Sequence, residues 1–192
     1  MTKKRVEIES REVVFDDFFK IEKARLRFER FDGAMSPTVT RLCFERGDAV
    51  AVLVYNRDME KLLLIEQFRY PTVGHGEGWV TETVAGMVDK GETPEETLYR
   101  ELEEEAGFRI KESEHIHTFY VSPGGTSERI FLYYAEVSET DRTGPGGGLA
   151  TEAEDIRALA YTPSEAFALL DRGEIHDAKT LIALMWLRAR KE

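Results

Sequence analysis

Four neighbouring side chains have the types and spacing to do chemistry: Glu101, Glu104 and Glu105, with Arg100 beside them. On a helix turning about 100° per residue, Glu104 and Glu105 lie about −60° and about +40° from Glu101, so three carboxylates share one face. That face is unfavourable by itself. Glu101 and Glu105 are like charges one turn apart, and Glu103, Glu104 and Glu105 crowd the negative end of the helix dipole. Each effect costs from a few tenths to about 1 kcal/mol, and Arg100 is the one nearby charge that compensates. Clustered carboxylate oxygens suit a hard ion, Mg2+ or Mn2+, which keeps some of its waters and bridges protein carboxylates to a phosphate. The competing account is a solvated helix face, the usual fate of a charge run in a glutamate-rich chain.

The helix that must carry these groups has clear ends. Thr93 is an N-cap with Glu96 three residues on, Pro94 takes the first helical position and Gly107 supplies a left-handed stop, which predicts a helix over 94–106. Leu98 and Leu102 then point to the core. Upstream, the apolar stretches 49–55 and 62–68 are joined by Asn56-Arg57-Asp58, turn chemistry that predicts a hairpin of central strands. Residues 79–84 predict a short strand entering Ala85-Gly86, and 116–121, 130–137 and 156–161 predict three more. Between them, 138–155 is a long loop with the run Gly144-Pro145-Gly146-Gly147-Gly148, ending in Glu152, Glu154 and Asp155. Thr162-Pro163-Ser164-Glu165 repeats the cap logic for a helix that Gly173 ends, and an amphipathic helix over 178–190 follows. Strands and helices mix without regular alternation, so the expectation is an α/β (α+β) sandwich around a mixed sheet, not a doubly wound parallel fold.

The N-terminal part is different. Ala24, Leu26 and Phe28 alternate with Arg25, Arg27 and Glu29 up to Asp32-Gly33, and a second alternating stretch follows at 38–44. So small an antiparallel ribbon cannot bury a core alone and must pack on the rest of the chain or on another subunit. The expected division is a β extension over 1–45 and a main domain over 46–192.

With 192 residues, 42% hydrophobic, the chain can bury a core without a disulfide or structural metal. Cys43 has no partner for an internal disulfide, and His75, His115, His117 and His176 show no metal-ligand spacing. The apolar runs at 49–55 and 181–187 are far short of the roughly 20 residues a membrane span needs, and no apolar stretch follows the basic N-terminus. The expectation is a cytoplasmic protein without a membrane partner. A formal charge of −11 repels polyanions and no basic patch with interleaved aromatics is visible, so nucleic acid is not an expected partner. A small anionic substrate stays possible where a divalent metal inverts the local field.

Gly86, Glu92, Arg100, Glu101, Leu102, Glu104, Glu105, Gly107 and Phe108 follow one pattern: Gly, five residues, Glu, seven residues, then Arg-Glu-aliphatic-any-Glu-Glu-any-Gly-hydrophobic. This resembles the Nudix box at every defined position over 86–108. Its parts have physical reasons. Gly86 permits a tight turn in which the Ala85 carbonyl can point into the site, Gly91 with Glu92 bends the chain into the helix, and Arg100 can fork to a carboxylate and orient it. The resemblance implies the Nudix α/β/α sandwich and hydrolysis of a nucleoside diphosphate linked to another moiety, by attack of metal-activated water on phosphorus.

Beyond the box, the chain resembles the ADP-ribose pyrophosphatase branch of that family. Ser122-Pro123-Gly124-Gly125-Thr126-Ser127-Glu128, with Pro123 16 residues past Gly107, is similar to one branch motif, and 148–157 to its catalytic loop. The resemblance implies that Glu101, Glu105, Glu154 and the Ala85 carbonyl hold Mg2+ (or Mn2+). It makes Glu104 a ligand or outer-shell base, has Glu152 activate the water, and leaves Arg100 as support. It also implies Arg69, Arg41 and Glu128 as substrate contacts, Phe28 stacking on adenine from the partner subunit, and a homodimer formed through swapped N-terminal strands. A surface arginine and simple packing of Phe28 are the ordinary alternatives. The implied reaction takes ADP-ribose to AMP and ribose 5-phosphate. Two rivals stand. A GDP-mannose or other nucleotide-sugar pyrophosphatase shares the Ser-Pro-Gly-Gly loop, the glycine run and a tail like Gly173-Glu174-Ile175-His176-Asp177-Ala178-Lys179-Thr180. There Thr126-Ser127-Glu128-Arg129 favours ADP-ribose and the glycines at 146–148 the rival. A noncatalytic nucleotide sensor of the same fold is disfavoured by the complete box.

Overall fold

Turn and cap chemistry fixes the frame. Asn56 Oδ1 accepts from the backbone N–H of Asp58 and Met59, closing the turn between β4 (Ala49–Asn56) and β5 (Lys61–Phe68), which pair antiparallel with Val54 opposite Leu63. Thr93 and Thr162 each form a reciprocal capping box, with Glu96 and Glu165, and start α1 (Pro94–Glu101) and α2 (Pro163–Asp171). The computed structural model describes residues 3–149, 151 and 154–191. The chain divides into two units, the first holding residues up to Gly47 together with Tyr120–Glu128, the second Asp48–Phe119 and Arg129–Glu192.

Among the described residues, the first unit is a three-stranded ribbon in the order β1-β2-β3, from β1 (Val6–Asp16), β2 (Lys20–Phe28) and β3 (Val39–Glu45). Val6 faces Phe28 and Leu26 faces Val39, both pairings antiparallel. Every residue of β1 is exposed, Val13 and Phe15 included. The Ser122 turn, closed by the Thr126 N–H on the Ser122 carbonyl, lies along β3, where the Phe44 N–H donates to the Gly125 carbonyl at 2.8 Å.

The second unit places a mixed sheet between helices. Its main path among the described residues runs β10-β5-β4-β9-β8, using β8 (Glu114–Tyr120), β9 (Arg129–Val137) and β10 (Arg157–Tyr161). β4 is parallel to β9 and antiparallel to β5, so the sheet is mixed. Residues alternate along β4. Val50, Val52 and Val54 face a core with Leu98 and Leu102, while Ala49, Ala51 and Leu53 face one built by Ala166 of α2 and Ala183, Leu184 and Leu187 of α3 (Ala178–Lys191). This is the expected α/β/α sandwich. Among the described residues, no helix is long and apolar enough to cross a membrane.

Two local expectations are corrected. The single strand over 79–84 is two: β6 (Trp79–Glu82) pairs with β5, and β7 (Val84–Met87) pairs with β4. β4 and β5 pair only at their hairpin ends, so the chain changes partner at Thr83 to fill the gap between them. Gly86 therefore lies in a strand opposite Val50, not in a tight turn. The helix expected over 94–106 is α-helical only to Glu101, and Leu102–Ala106 form a π-turn before Gly107 ends it at φ +74°.

Candidate active site

The π-turn sits where the carboxylates are. Such wide turns are rare and recur at functional sites, and here it replaces the even 100° spacing between Glu101, Glu104 and Glu105. It is held open by the glycine run. The N–H groups of Gly147 and Gly148 donate to the carbonyls of Glu105 and Glu104 at 2.9 and 3.1 Å, supplying partners that a helix end otherwise lacks. The same strap brings Glu154 close, with its carboxylate accepting from the Leu149 N–H at 2.9 Å.

Gly86 works through the side chain it lacks. A Cβ built there would run into the Glu101 carboxylate, which lies across β7 at that point. Beside it, Glu105 is 2% exposed and accepts from the Ala85 N–H at 3.1 Å. Burial pushes the Glu105 carboxyl up to about 8 and that of Glu101 up to about 7. The negative charges of Glu101 and Glu154 raise Glu105 further, and those of Glu104 and Glu154 raise Glu101. Two cations oppose this. Arg100 Nη1 reaches Glu101 at 2.8 Å and Glu104 at 3.2 Å, while its Nη2 and Nε hold Glu92 at 3.1 and 3.3 Å. Arg69, which sequence alone did not connect to the cluster, lowers Glu105 through space.

The residues fit a divalent cation. Buried carboxylates that would rather keep a proton are short of positive charge, and oxygen-only donors are those a hard ion prefers. Among the described residues no three His, Cys, Asp or Glu side chains stand close enough together to hold a metal ion as they lie. An open set suits Mg2+, which retains waters and takes further oxygens from a phosphate substrate. Glu101, Glu104, Glu105, Glu154, Ala85 and Arg100 thus come together in the second unit; Glu152 lies outside the described residues.

Arg69, also in the second unit, follows β5 and forks onto Glu82, Nε to Oε1 at 2.8 Å and Nη2 to Oε2 at 3.2 Å. Three expected substrate contacts belong to the first unit. Phe28 ends β2 and is partly exposed, Arg41 of β3 points Nη1 at the Thr40 carbonyl, and Glu128 is buried with its carboxylate 3.5 Å from Arg46 Nε. Glu82, Asp177 and Lys179 are polar groups around Arg69 that residue types alone did not single out. For Asp177 and Lys179 the signal in the sequence is the resemblance of the tail segment 173–180; Glu82 carries none.

A NUDIX domain model matches residues 45–184. An ADP-ribose pyrophosphatase of Escherichia coli (strain K12) is 40% identical over 187 residues, 97% of this chain and 89% of that protein. A GDP-mannose pyrophosphatase of Cronobacter sakazakii is 35% identical over 187 residues, 96% of each chain. Among solved structures, one described as an ADP compounds hydrolase superposes with a TM-score of 0.73 at 21% identity, covering 98% of this chain and 95% of the other.

Proposed function

Because the chain belongs to the Nudix family, we propose that it hydrolyses the pyrophosphate bond of ADP-ribose to AMP and ribose 5-phosphate in the presence of Mg2+, with Mn2+ as a substitute. The observation that carries the chemistry is the pair Glu101 and Glu105, raised toward neutrality around Gly86 and only partly offset by Arg100, the Ala85 N–H and Arg69. The choice of ADP-ribose draws support from the 40% identical relative and from Thr126-Ser127-Glu128-Arg129.

Glu101, Glu105, Glu154 and the Ala85 carbonyl are the proposed holders of the ion. Bound there, it would neutralise the diphosphate, lower the pKa of water and stabilise the departing phosphate. The chain's own groups do the rest. Arg100 fixes the orientation of Glu101 and Glu104 by its fork. Glu104 is a further ligand or an outer-shell base, and Glu152 takes the proton of the attacking water. Arg69 grips the diphosphate, with Arg41, Glu128 and Phe28 as contacts to the remainder of the substrate. Water adds to the adenosyl phosphorus in line, and the bridging oxygen leaves with ribose 5-phosphate.

The proposed working form is a cytoplasmic homodimer with exchanged N-terminal strands, supported by the wholly exposed β1. Hydrolysis in 18O-labelled water tests the reaction: label in AMP is expected, and label only in ribose 5-phosphate refutes the assigned phosphorus. The second reading, a GDP-mannose pyrophosphatase, draws on the 35% identical relative. Parallel turnover of both compounds with Mg2+ separates them, and a large preference for GDP-mannose reverses the order.

A further inference from the structure

Behind Arg69 lies a chain of buried polar contacts that none of the proposed steps uses. Glu82, 3% exposed, gives both oxygens to the Arg69 fork, and its Oε2 also accepts from Lys179 Nζ at 3.1 Å. Lys179 Nζ donates to Asp177 Oδ1 as well, at 2.7 Å. Asp177 Oδ2 takes the N–H and hydroxyl of Thr180 at 2.9 and 2.7 Å, and the Thr180 Oγ1 accepts from the Thr83 N–H at 2.8 Å. The start of α3 is thereby tied to the junction of β6 and β7, which leads directly to Ala85 and Gly86.

We propose that Asp177, Lys179 and Glu82 are positioning residues that hold Arg69 in place for a diphosphate and balance the charge of Glu82 so that the guanidinium stays available to it. This rests on the reading that Arg69 contacts the diphosphate. Two cations and two carboxylates make the cluster neutral. Remove Lys179 and one uncompensated negative charge faces an incoming anion, held within the fork that should receive it. Buried ion clusters add little stability over apolar packing, so the role proposed for this one is to fix the geometry of Arg69. The fork uses Nε and Nη2, and among the described residues Arg69 Nη1 has no hydrogen-bond partner, so its open edge can take a phosphate oxygen. Arg69 is 41% exposed in its side chain while Lys179 is 18%, which makes Arg69 the contact and Lys179 its support. The carboxylates also outweigh burial and keep Lys179 charged, its pKa raised.

The test is Lys179→Met in the full-length protein with Mg2+ and ADP-ribose. KM is expected to rise about tenfold with kcat changed less than about threefold, since an anion-gripping group is misplaced but the reacting atoms are not. Lys179→Arg should recover most of the loss. In an Arg69→Met background, Lys179→Met should add less than about twofold, because both act through one guanidinium. An unchanged KM, a fall in kcat alone, or a full penalty persisting without Arg69 would each overturn the proposal; the last would mean that Lys179 touches substrate itself. Lys179→Gln carries the same expectations should the methionine variant fold poorly. Calorimetric binding of inorganic pyrophosphate to the metal-free protein repeats the double-mutant comparison without turnover. If the wild type fails to cleave ADP-ribose, the substrate reading fails, and this binding cycle still decides the role of Lys179.

Discussion

At the scale of single residues, Glu105 is held where its charge is unwelcome. Its carboxyl titrates near 8 in the fold against an ordinary 4.5, because burial and the neighbouring Glu101 and Glu154 penalise ionisation. The folded state therefore keeps a proton that the unfolded chain has lost. This relative stability is complete below pH of about 4.5 and is lost as pH rises through about 8. The metal-free protein should melt at progressively lower temperature across that window. Glu105→Gln should flatten the dependence and melt higher than wild type at pH 8, a result read by calorimetry in chelator. Mg2+ should raise the melting temperature of the wild type, and the same variant should lose that rise together with on the order of a hundredfold or more in turnover. Unchanged turnover would remove Glu105 from the proposed ligands. Gly86→Ala separates geometry from charge. Its methyl displaces only the flexible end of Glu101, so stability should fall by about 1 kcal/mol or less while kcat drops on the order of a hundredfold.

At the scale of elements, the ends of α1 show what local sequence can and cannot specify. Its start was legible because Thr93, Pro94 and Glu96 complete a capping box among themselves. The hairpin at Asn56 was legible for the same reason, its partners lying within three residues. The π-turn was not. Nothing in 102–106 differs from a good α-helix former, and the wide turn depends on carbonyl partners some 40 residues away, at Gly147 and Gly148. The change of strand partner at Thr83 and the Glu82 fork were hidden likewise, since each depends on contacts across the sheet or to α3. Two substitutions in the glycine strap test this dependence. At Gly146 a Cβ would lie 2.5 Å from the Glu105 carbonyl oxygen and the backbone has φ +69°, while at Gly144 a Cβ meets open space with an ordinary φ. Gly146→Ala should cost about 1–2 kcal/mol for the left-handed residue alone, and should weaken Mg2+-dependent activity about tenfold or more by shifting Glu105 and Glu154. Gly144→Ala should leave both within error in a melt and a turnover assay; equal effects of the two would separate the strap from the carboxylates.

At the scale of the whole molecule, the first unit has an edge problem. β1 is an outer strand whose residues are all exposed, and Val13, Phe15 and Phe18 add exposed apolar surface to the ribbon. Unpaired edge strands with uncovered apolar surface commonly serve as pairing surfaces. The proposed exchange of N-terminal strands would cover this one with the same surface of a second copy, as a closed two-fold interface requires. In the proposed dimer a partner's ribbon would present Phe28 and Arg41 to the substrate. Light scattering coupled to gel filtration should then give twice the 22.0 kDa chain mass at micromolar concentration. Charge placed on that surface, as in Val13→Asp with Phe15→Asp, should shift the protein toward one chain mass. Activity should fall about tenfold or more with it, chiefly through KM, because the proposed metal ligands of the second unit are untouched while substrate contacts are withdrawn. A wild type that elutes at one chain mass and is fully active would refute the dimer, and with it the assignment of Phe28 as a partner's contact.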